Sequence, residues 1–399
     1  MSWRCRAGQW LQQGSLAALL IFLPFSKAAV EIAFGVMLVG WVMEYASPTR
    51  VRSSLWSRPE ARGLLTALLS YVVASGLSIL HSSYPDISVR GFITKTLEYA
   101  VYFMMAAELG LRRRMRERSV ALLLMATMFV GLDAVVQAVT HYDVRGHTIG
   151  LRESAYFRIT GPYENPIDLA TYFMVTTPFI IAQVGMGGRA RTAALVSLLG
   201  LASWCVMQTD AQGAQLGLMV ALALMCLMTA DLRRLIPWYV AGLALAIMTH
   251  WSYLSNWFVG AQDRLLMWRA GWAMFIDRPL FGHGINTFMA NYLTYRVGGE
   301  ATPRYAHNCY LQVAAETGLL GLAAFAWLLG AIIWVITRAV RFAPERAHQR
   351  YLLGALGGLA AFLVQSAFDT NFYALRHAAL FWVLAGLAVG AAWSAQETA

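Results

Sequence analysis

Long apolar runs alternate with short polar breaks along most of the chain. At a rise of 1.5 Å per residue, roughly 20 apolar residues cross a bilayer core. The pattern predicts twelve membrane-spanning helices, at 11–26, 28–46, 64–81, 91–110, 119–140, 166–186, 192–209, 213–230, 235–253, 309–337, 352–368 and 377–395. The first run is short, and Pro24 near its end predicts a tight re-entry into the second. Small residues at cleavage-like spacing, Ser26 and Ala28, keep a removable leader as the alternative for residues 1–28. The expected fold is an all-α integral membrane protein, with 1–399 as a single polytopic domain.

Basic residues orient these spans. With the N-terminus inside, the inner segments hold the arginines at 4–6, 50–62, 112–118, 189–191, 233–234 and 338–350. All lie in the N-terminal tail or in short loops, where the positive-inside rule applies. Both termini are thus expected in the cytoplasm. The outer face then carries two substantial loops, 141–165 and 254–308, and loops of that length without function are uncommon.

Composition supports the same reading. Of the residues, 58% are hydrophobic, 14 are tryptophans, and only 31 basic and 21 acidic residues carry charge. A soluble globular enzyme, a disulfide scaffold and a disordered chain are excluded. A net charge of +10 in a lipid-dissolved chain reflects cytoplasmic arginines rather than a nucleic-acid partner. The four cysteines are widely separated and form neither a disulfide framework nor a zinc motif.

Candidate chemistry lies on the outer face. Residues 264–276 scan as an amphipathic helix, with Leu265, Trp268, Trp272, Phe275 and Ile276 on one stripe and Arg264 and Arg269 at its edges. Such a helix suits the membrane interface, its arginines at headgroup level, and a purely structural anchor fits the same spacing. Asp277-Arg278-Pro279 ends it, and Gly282-His283-Gly284 predicts a sharp turn. His307, followed by Asn308, stands where the tenth span begins; it is either a helix-end hydrogen-bonding residue or a general base. Arg304 precedes it. In the other loop Arg145, Arg152 and Arg158 lead into Gly161-Pro162-Tyr163-Glu164-Asn165-Pro166, a rigid turn before a helix. Ion pairing with Asp143, Glu153 and Glu164 would account for those arginines equally. Asp369 is placed to orient a histidine or cap a turn, and Gln212 offers an uncharged amide. D-x-D, G-x-S-x-G, P-loop and H-E-x-x-H motifs do not occur, so no divalent metal and no cofactor is expected. Outward arginines beside a histidine suit an anionic diphosphate gripped by guanidinium forks next to a base.

Several segments together resemble the bacterial O-antigen ligase/polymerase family of polytopic glycosyltransferases. They are Arg264-Leu265-Leu266-Met267-Trp268, Phe281-Gly282-His283-Gly284-Ile285-Asn286, and His307-Asn308-Cys309-Tyr310-Leu311-Gln312. Glu316-Thr317-Gly318-Leu319-Leu320-Gly321 and the stretch from Arg158 to Pro166 complete the set. The resemblance implies a glycosyltransferase C type membrane fold in the bacterial inner membrane, with a periplasmic active site. It implies an undecaprenyl-diphosphate-linked glycan as donor and, for a ligase, a sugar hydroxyl of lipid A-core oligosaccharide as acceptor. It makes His307 the catalytic residue and Arg264 a donor-diphosphate contact, with Arg158 as a further one. Arg152, Arg269, Arg304, Asn308 and Asp369 are supporting or acceptor-side candidates. Relatives often carry Ser-Arg-Gly before the eighth span; here Ala211-Gln212-Gly213 leaves Gln212 to bind phosphate without charge. The R-x10-G pattern frequent in the periplasmic loops of polymerases is missing at the outer arginines: Arg158, Arg264 and Arg278, for example, are followed eleven residues on by Leu169, Phe275 and Met289. A ligase is therefore expected ahead of a polymerase or a protein O-oligosaccharyltransferase. A flippase of polyprenyl-linked glycans is the alternative of another class, and Asp133 within a span is its best coupling residue.

Overall fold

The computed structural model describes residues 2–47, 55–57, 59–146, 158–233, 261–298, 302, 304–343 and 345–394. Among these the regular structure is helical, with no strand. The chain begins with α1 (Trp3–Phe22), α2 (Lys27–Tyr45), α3 (Arg62–Ile79) and α4 (Pro85–Gly91). A π-helical stretch, Phe92–Leu97, joins α4 to α5 (Glu98–Gly110). There follow α6 (Arg113–Thr140), α7 (Pro166–Gln183), α8 (Arg189–Gln208), α9 (Gln212–Met228) and the short α10 (Ala230–Arg233). After the segment outside the described residues come α11 (Ala261–Asp277), α12 (Phe288–Tyr295), α13 (Cys309–Phe342), α14 (Arg346–Gln365) and α15 (Leu375–Ser394).

Six described helical segments are long and apolar enough to cross a membrane: Lys27–Tyr45, Pro59–Ile79, Arg113–Thr140, Arg189–Gln208, Cys309–Phe342 and Leu375–Ser394. The other expected spans coincide with α1, α5, α7, α9 and α14, which are shorter or more polar; the expected span at 235–253 lies outside the described residues. Helix α1 begins well before the apolar run, because Ser2 caps it, accepting from the Cys5 amide at 3.3 Å.

Helix α15 is buried along nearly its whole length, from Arg376 to Trp393. It lies directly against α5. A side chain on Gly390 would put its Cβ 1.9 Å from the Ala107 carbonyl, so only glycine permits this approach.

Loops collect at two ends. At one, Glu44 accepts from Gln9 (3.0 Å), Gln12 (2.7 Å) and Arg112 (2.8 Å), and Asp231 meets Arg346 (2.6 Å) and Arg350 (3.3 Å). At the other, Lys27 pairs with Glu164 (3.1 Å) and Arg376 donates to the Pro24 carbonyl (2.9 Å). Among the described residues, those of the loops expected inside gather at the first end and those of the loops expected outside at the second.

Candidate functional site

The segment entering α7 is fixed from α6. Gln137 accepts from the Thr160 and Gly161 amides (both 2.8 Å) and donates to the Thr160 hydroxyl (2.9 Å). Pro166 opens α7 and Asn165 caps it, accepting from the Ile167 amide at 2.9 Å. Arg158, just upstream, donates through Nε to the Thr209 carbonyl (2.7 Å) and through Nη2 to the Asp210 carbonyl (3.2 Å). It thereby joins the 158–166 turn to the connection between α8 and α9, where Asp210 adopts a left-handed φ of 52°.

Around this junction lies a cavity of about 200 Å³, lined by Arg158, Asp210, Gln212, Gly213, Arg264, Gln365 and Asp369 among others. Four residues singled out in the sequence, Arg158, Gln212, Arg264 and Asp369, thus meet at one wall although the segment before α7, α9, α11 and the turn after α14 supply them separately. Asp210 and Gln365 were not foreseen. Asp210 is a common turn residue in sequence, and only the fold reveals that burial pushes its carboxyl above the ordinary range, opposed by Arg158.

His307 reaches this cavity through Asp369. Its Nδ1 lies 3.1 Å from Asp369 Oδ1, which also accepts from the Thr370 amide at 2.8 Å. Burial works to raise the Asp369 carboxyl, but the interaction with His307, together with the hydrogen bond from the Thr370 amide, outweighs it and holds the group below its ordinary range. His307 has φ 46°, a conformation that costs a non-glycine residue of order 1–3 kcal/mol and persists only where neighbours impose it. The neighbours are identifiable. Cys309 donates its amide to Ser366 (2.7 Å) and its thiol to the Asp369 carbonyl (3.2 Å), docking the start of α13 on the turn after α14.

Helix α11 holds Arg264. Met267, Ala270 and Met274 are buried against Phe288, Tyr292, Ala306 and Ala315, while Leu265, Trp272 and Ile276 are exposed on the apolar stripe read from the sequence. Arg264 is half-buried and faces the cavity; Arg269 is exposed and does not line it. Arg304 likewise stands outside the cavity wall. Asn308 acts as the N-cap of α13, accepting from the Leu311 amide at 3.0 Å. Arg152 lies outside the described residues.

The described residues of the expected loop 254–308 hold more regular structure than the one helix read from the sequence. Besides α11 they include α12 and a turn locked onto α13. Helix α13 is broken at Gly318 (φ 66°, ψ −167°), and the turn docks in the break. His283 and Gly284 amides donate to the Ala315 (3.0 Å) and Glu316 (2.8 Å) carbonyls, and the Leu319 amide donates to Pro279 (2.7 Å). Glu316, fully buried, accepts from the Asn286 amide (2.6 Å), the Phe288 amide (3.0 Å), Gln312 (3.1 Å) and the Tyr373 hydroxyl (2.7 Å). A carboxylate this deep requires such partners. Its place in a motif was visible; its role as the clamp between loop and helix was not. His283 belongs to the same clamp: its Nε2 lies 3.0 Å from the Met274 carbonyl, and burial lowers its basicity. Asp133 is committed to structure too, its Oδ1 accepting from the Val144 amide at 2.7 Å.

A many-helix apolar bundle, here with an arginine-lined cavity beside a histidine–carboxylate pair, defines the class of multi-pass membrane proteins. Residues 196–326 match the family model described as O-Antigen ligase. Over 369 residues, 86% of this chain and 74% of the relative, the chain is 20% identical to the teichuronic acid biosynthesis protein TuaE of Bacillus subtilis (strain 168). Over residues 196–326 the chain is thus similar to the O-antigen ligase family, a glycosyltransferase-like group of membrane proteins. The matched segment holds Gln212, Arg264 and His307; Arg158 and Asp369 lie outside it and join the site through the fold.

Proposed function

We propose that this protein is an O-antigen ligase, transferring a glycan from undecaprenyl diphosphate to a sugar hydroxyl of lipid A-core oligosaccharide in one inverting, metal-independent displacement. The observation that carries the reading is the convergence of Arg158, Arg264 and Gln212 on one cavity whose wall also contains the histidine's partner, Asp369. With Nδ1 given to Asp369, His307 Nε2 is the nitrogen available to substrate. It takes the acceptor hydroxyl proton as that oxygen bonds to the anomeric carbon from the face opposite the diphosphate. The anomeric carbon–oxygen bond breaks, and Arg158 and Arg264 stabilise charge growing on the departing diphosphate. Gln212 adds a hydrogen bond. The arginine-rich end of the bundle is the cytoplasmic one in this reading, so both termini lie inside and the cavity faces the periplasm. The exposed stripe of α11 rests in the interface above it.

The acceptor separates this reading from its neighbour. A polymerase would use a second lipid-linked glycan, and the similarity to a protein of teichuronic acid biosynthesis keeps that reaction in view. A deletion strain examined by lipopolysaccharide gel decides. Loss of a ligase leaves lipid A-core with no ladder while polymerised undecaprenyl-linked glycan accumulates. A band of core bearing one repeat unit would instead identify a polymerase. For the purified protein, transfer should survive EDTA; abolition by EDTA with rescue by magnesium would refute the metal-independent mechanism.

A further inference from the structure

At the opposite end of α6 from the candidate site, a second cavity of about 690 Å³ opens between the starts of α6 and α14 and the connection from α7 to α8. Its mouth is basic. Arg113 is neutralised there, donating to Glu117 (2.9 Å) and lying 3.2 Å from Glu345. Two other guanidinium groups are not. Arg116 donates through Nη1 to the Gly110 and Leu111 carbonyls and to the Ser394 hydroxyl, and Arg191 donates to the Met186 carbonyl and the Gln183 amide oxygen. These acceptors fix both arginines in place without cancelling their charge. His348 Nε2, also at this cavity, is buried without a hydrogen-bond partner.

Away from the mouth the lining changes. Val120, Ala121 and Leu124 continue along α6, so the wall runs from Arg116 to Leu124, roughly 12 Å deeper into the apolar part of the bundle. Positive charge at the rim above an apolar wall is complementary to an amphiphile with an anionic head. A free anion would use only the rim.

We propose that this cavity is a binding site for an anionic glycerophospholipid, its phosphodiester held by Arg116 and Arg191 and an acyl chain against Val120 and Leu124. Basic pockets between membrane helices hold acidic lipid headgroups on this physical ground, each nearby cationic side chain adding to the attraction. The site is independent of the transferase reading, because none of these residues touches the first cavity.

The test uses the purified full chain, offered equimolar phosphatidylglycerol and phosphatidylcholine with identical acyl chains and examined by native mass spectrometry. Wild type should retain the anionic lipid with a preference on the order of tenfold, from the net positive charge of a rim where Arg113, Arg116 and Arg191 face Glu117 and Glu345. The double substitution Arg116→Gln and Arg191→Gln should remove the preference, and Leu124→Trp should lower occupancy by both lipids. Equal retention of the two lipids by wild type overturns the proposal, whatever the variants do. Displacement of phosphatidylglycerol by an equal concentration of inorganic phosphate would overturn it too, by showing that the rim alone recognises a free anion.

Discussion

A histidine serves as a base when one ring nitrogen is fixed and the other is left for substrate. Asp369 fixes Nδ1 of His307, and the left-handed backbone at His307 sets the ring's direction. General-base catalysis supplies roughly 10²–10⁴-fold, so His307→Ala should lose transfer by at least that range in an assay with purified donor and acceptor. Asp369→Asn retains shape and loses charge, and its effect is legible in stability as well as activity. The Asp369 carboxyl titrates below its ordinary range, so its stabilising contribution is complete above the unfolded carboxylate value of about 3.9. It is lost as pH falls through the lower folded value. Thermal unfolding should therefore show wild type above Asp369→Asn at neutral pH, with the gap closing only below about pH 4; a gap independent of pH would exclude the charge as its cause. Arg264 carries a different expectation. Arg264→Lys keeps charge but loses the planar fork suited to phosphate, so transfer should fall far more than in Arg341→Lys, exposed near the end of α13. Equal, mild losses would return Arg264 to the role of a headgroup anchor.

At the scale of elements, what the sequence revealed follows from how local each signal is. The span pattern and the amphipathic stripe of α11 depend on near neighbours, and they coincide with helices and with an exposed apolar face. The turn at 282–284 was legible from its glycines. Its destination was not, because docking into a helix broken at Gly318 is set by residues far along the chain. Likewise charge and spacing alone do not distinguish Arg269 or Arg304 from Arg264; the family resemblance singled Arg264 out, and helix rotation and packing put it at the cavity. Asn308 was read beside the catalytic candidate, and its position as α13 cap follows from where that helix starts. The break itself is testable. A Cβ at Gly318 would sit 2.4 Å from the Leu280 carbonyl carbon, at a φ that strains any side chain. Gly318→Ala should destabilise the protein by at least the order of 1–3 kcal/mol that such strain costs, read as a lowered midpoint in thermal unfolding. Gly330→Ala, in the same helix with open space around it, should leave the midpoint unchanged or raised.

On the scale of the whole molecule, the two ends of the bundle differ in what they carry. One gathers Arg112, Arg113, Arg116, Arg346 and Arg350, four of them tied to Glu44, Glu345 and Asp231. The other holds the candidate cavity and the turns at 158–166, 209–213, 279–287 and 366–370. By the positive-inside rule the proposed orientation turns the first end to the cytoplasm, and it predicts Tyr142 outside and Arg341 inside. Both are exposed and suit single-cysteine reporters, while the four native cysteines are all buried and should give little background. In intact cells a membrane-impermeant maleimide should label Tyr142→Cys, and Arg341→Cys should react only after permeabilisation. The reverse pattern would put the arginine-rich end in the periplasm and the His307–Asp369 pair in the cytoplasm. No undecaprenyl-linked glycan displayed on the outer leaflet could then reach it, so the ligase reading would fall even with the helix bundle and its cavity intact.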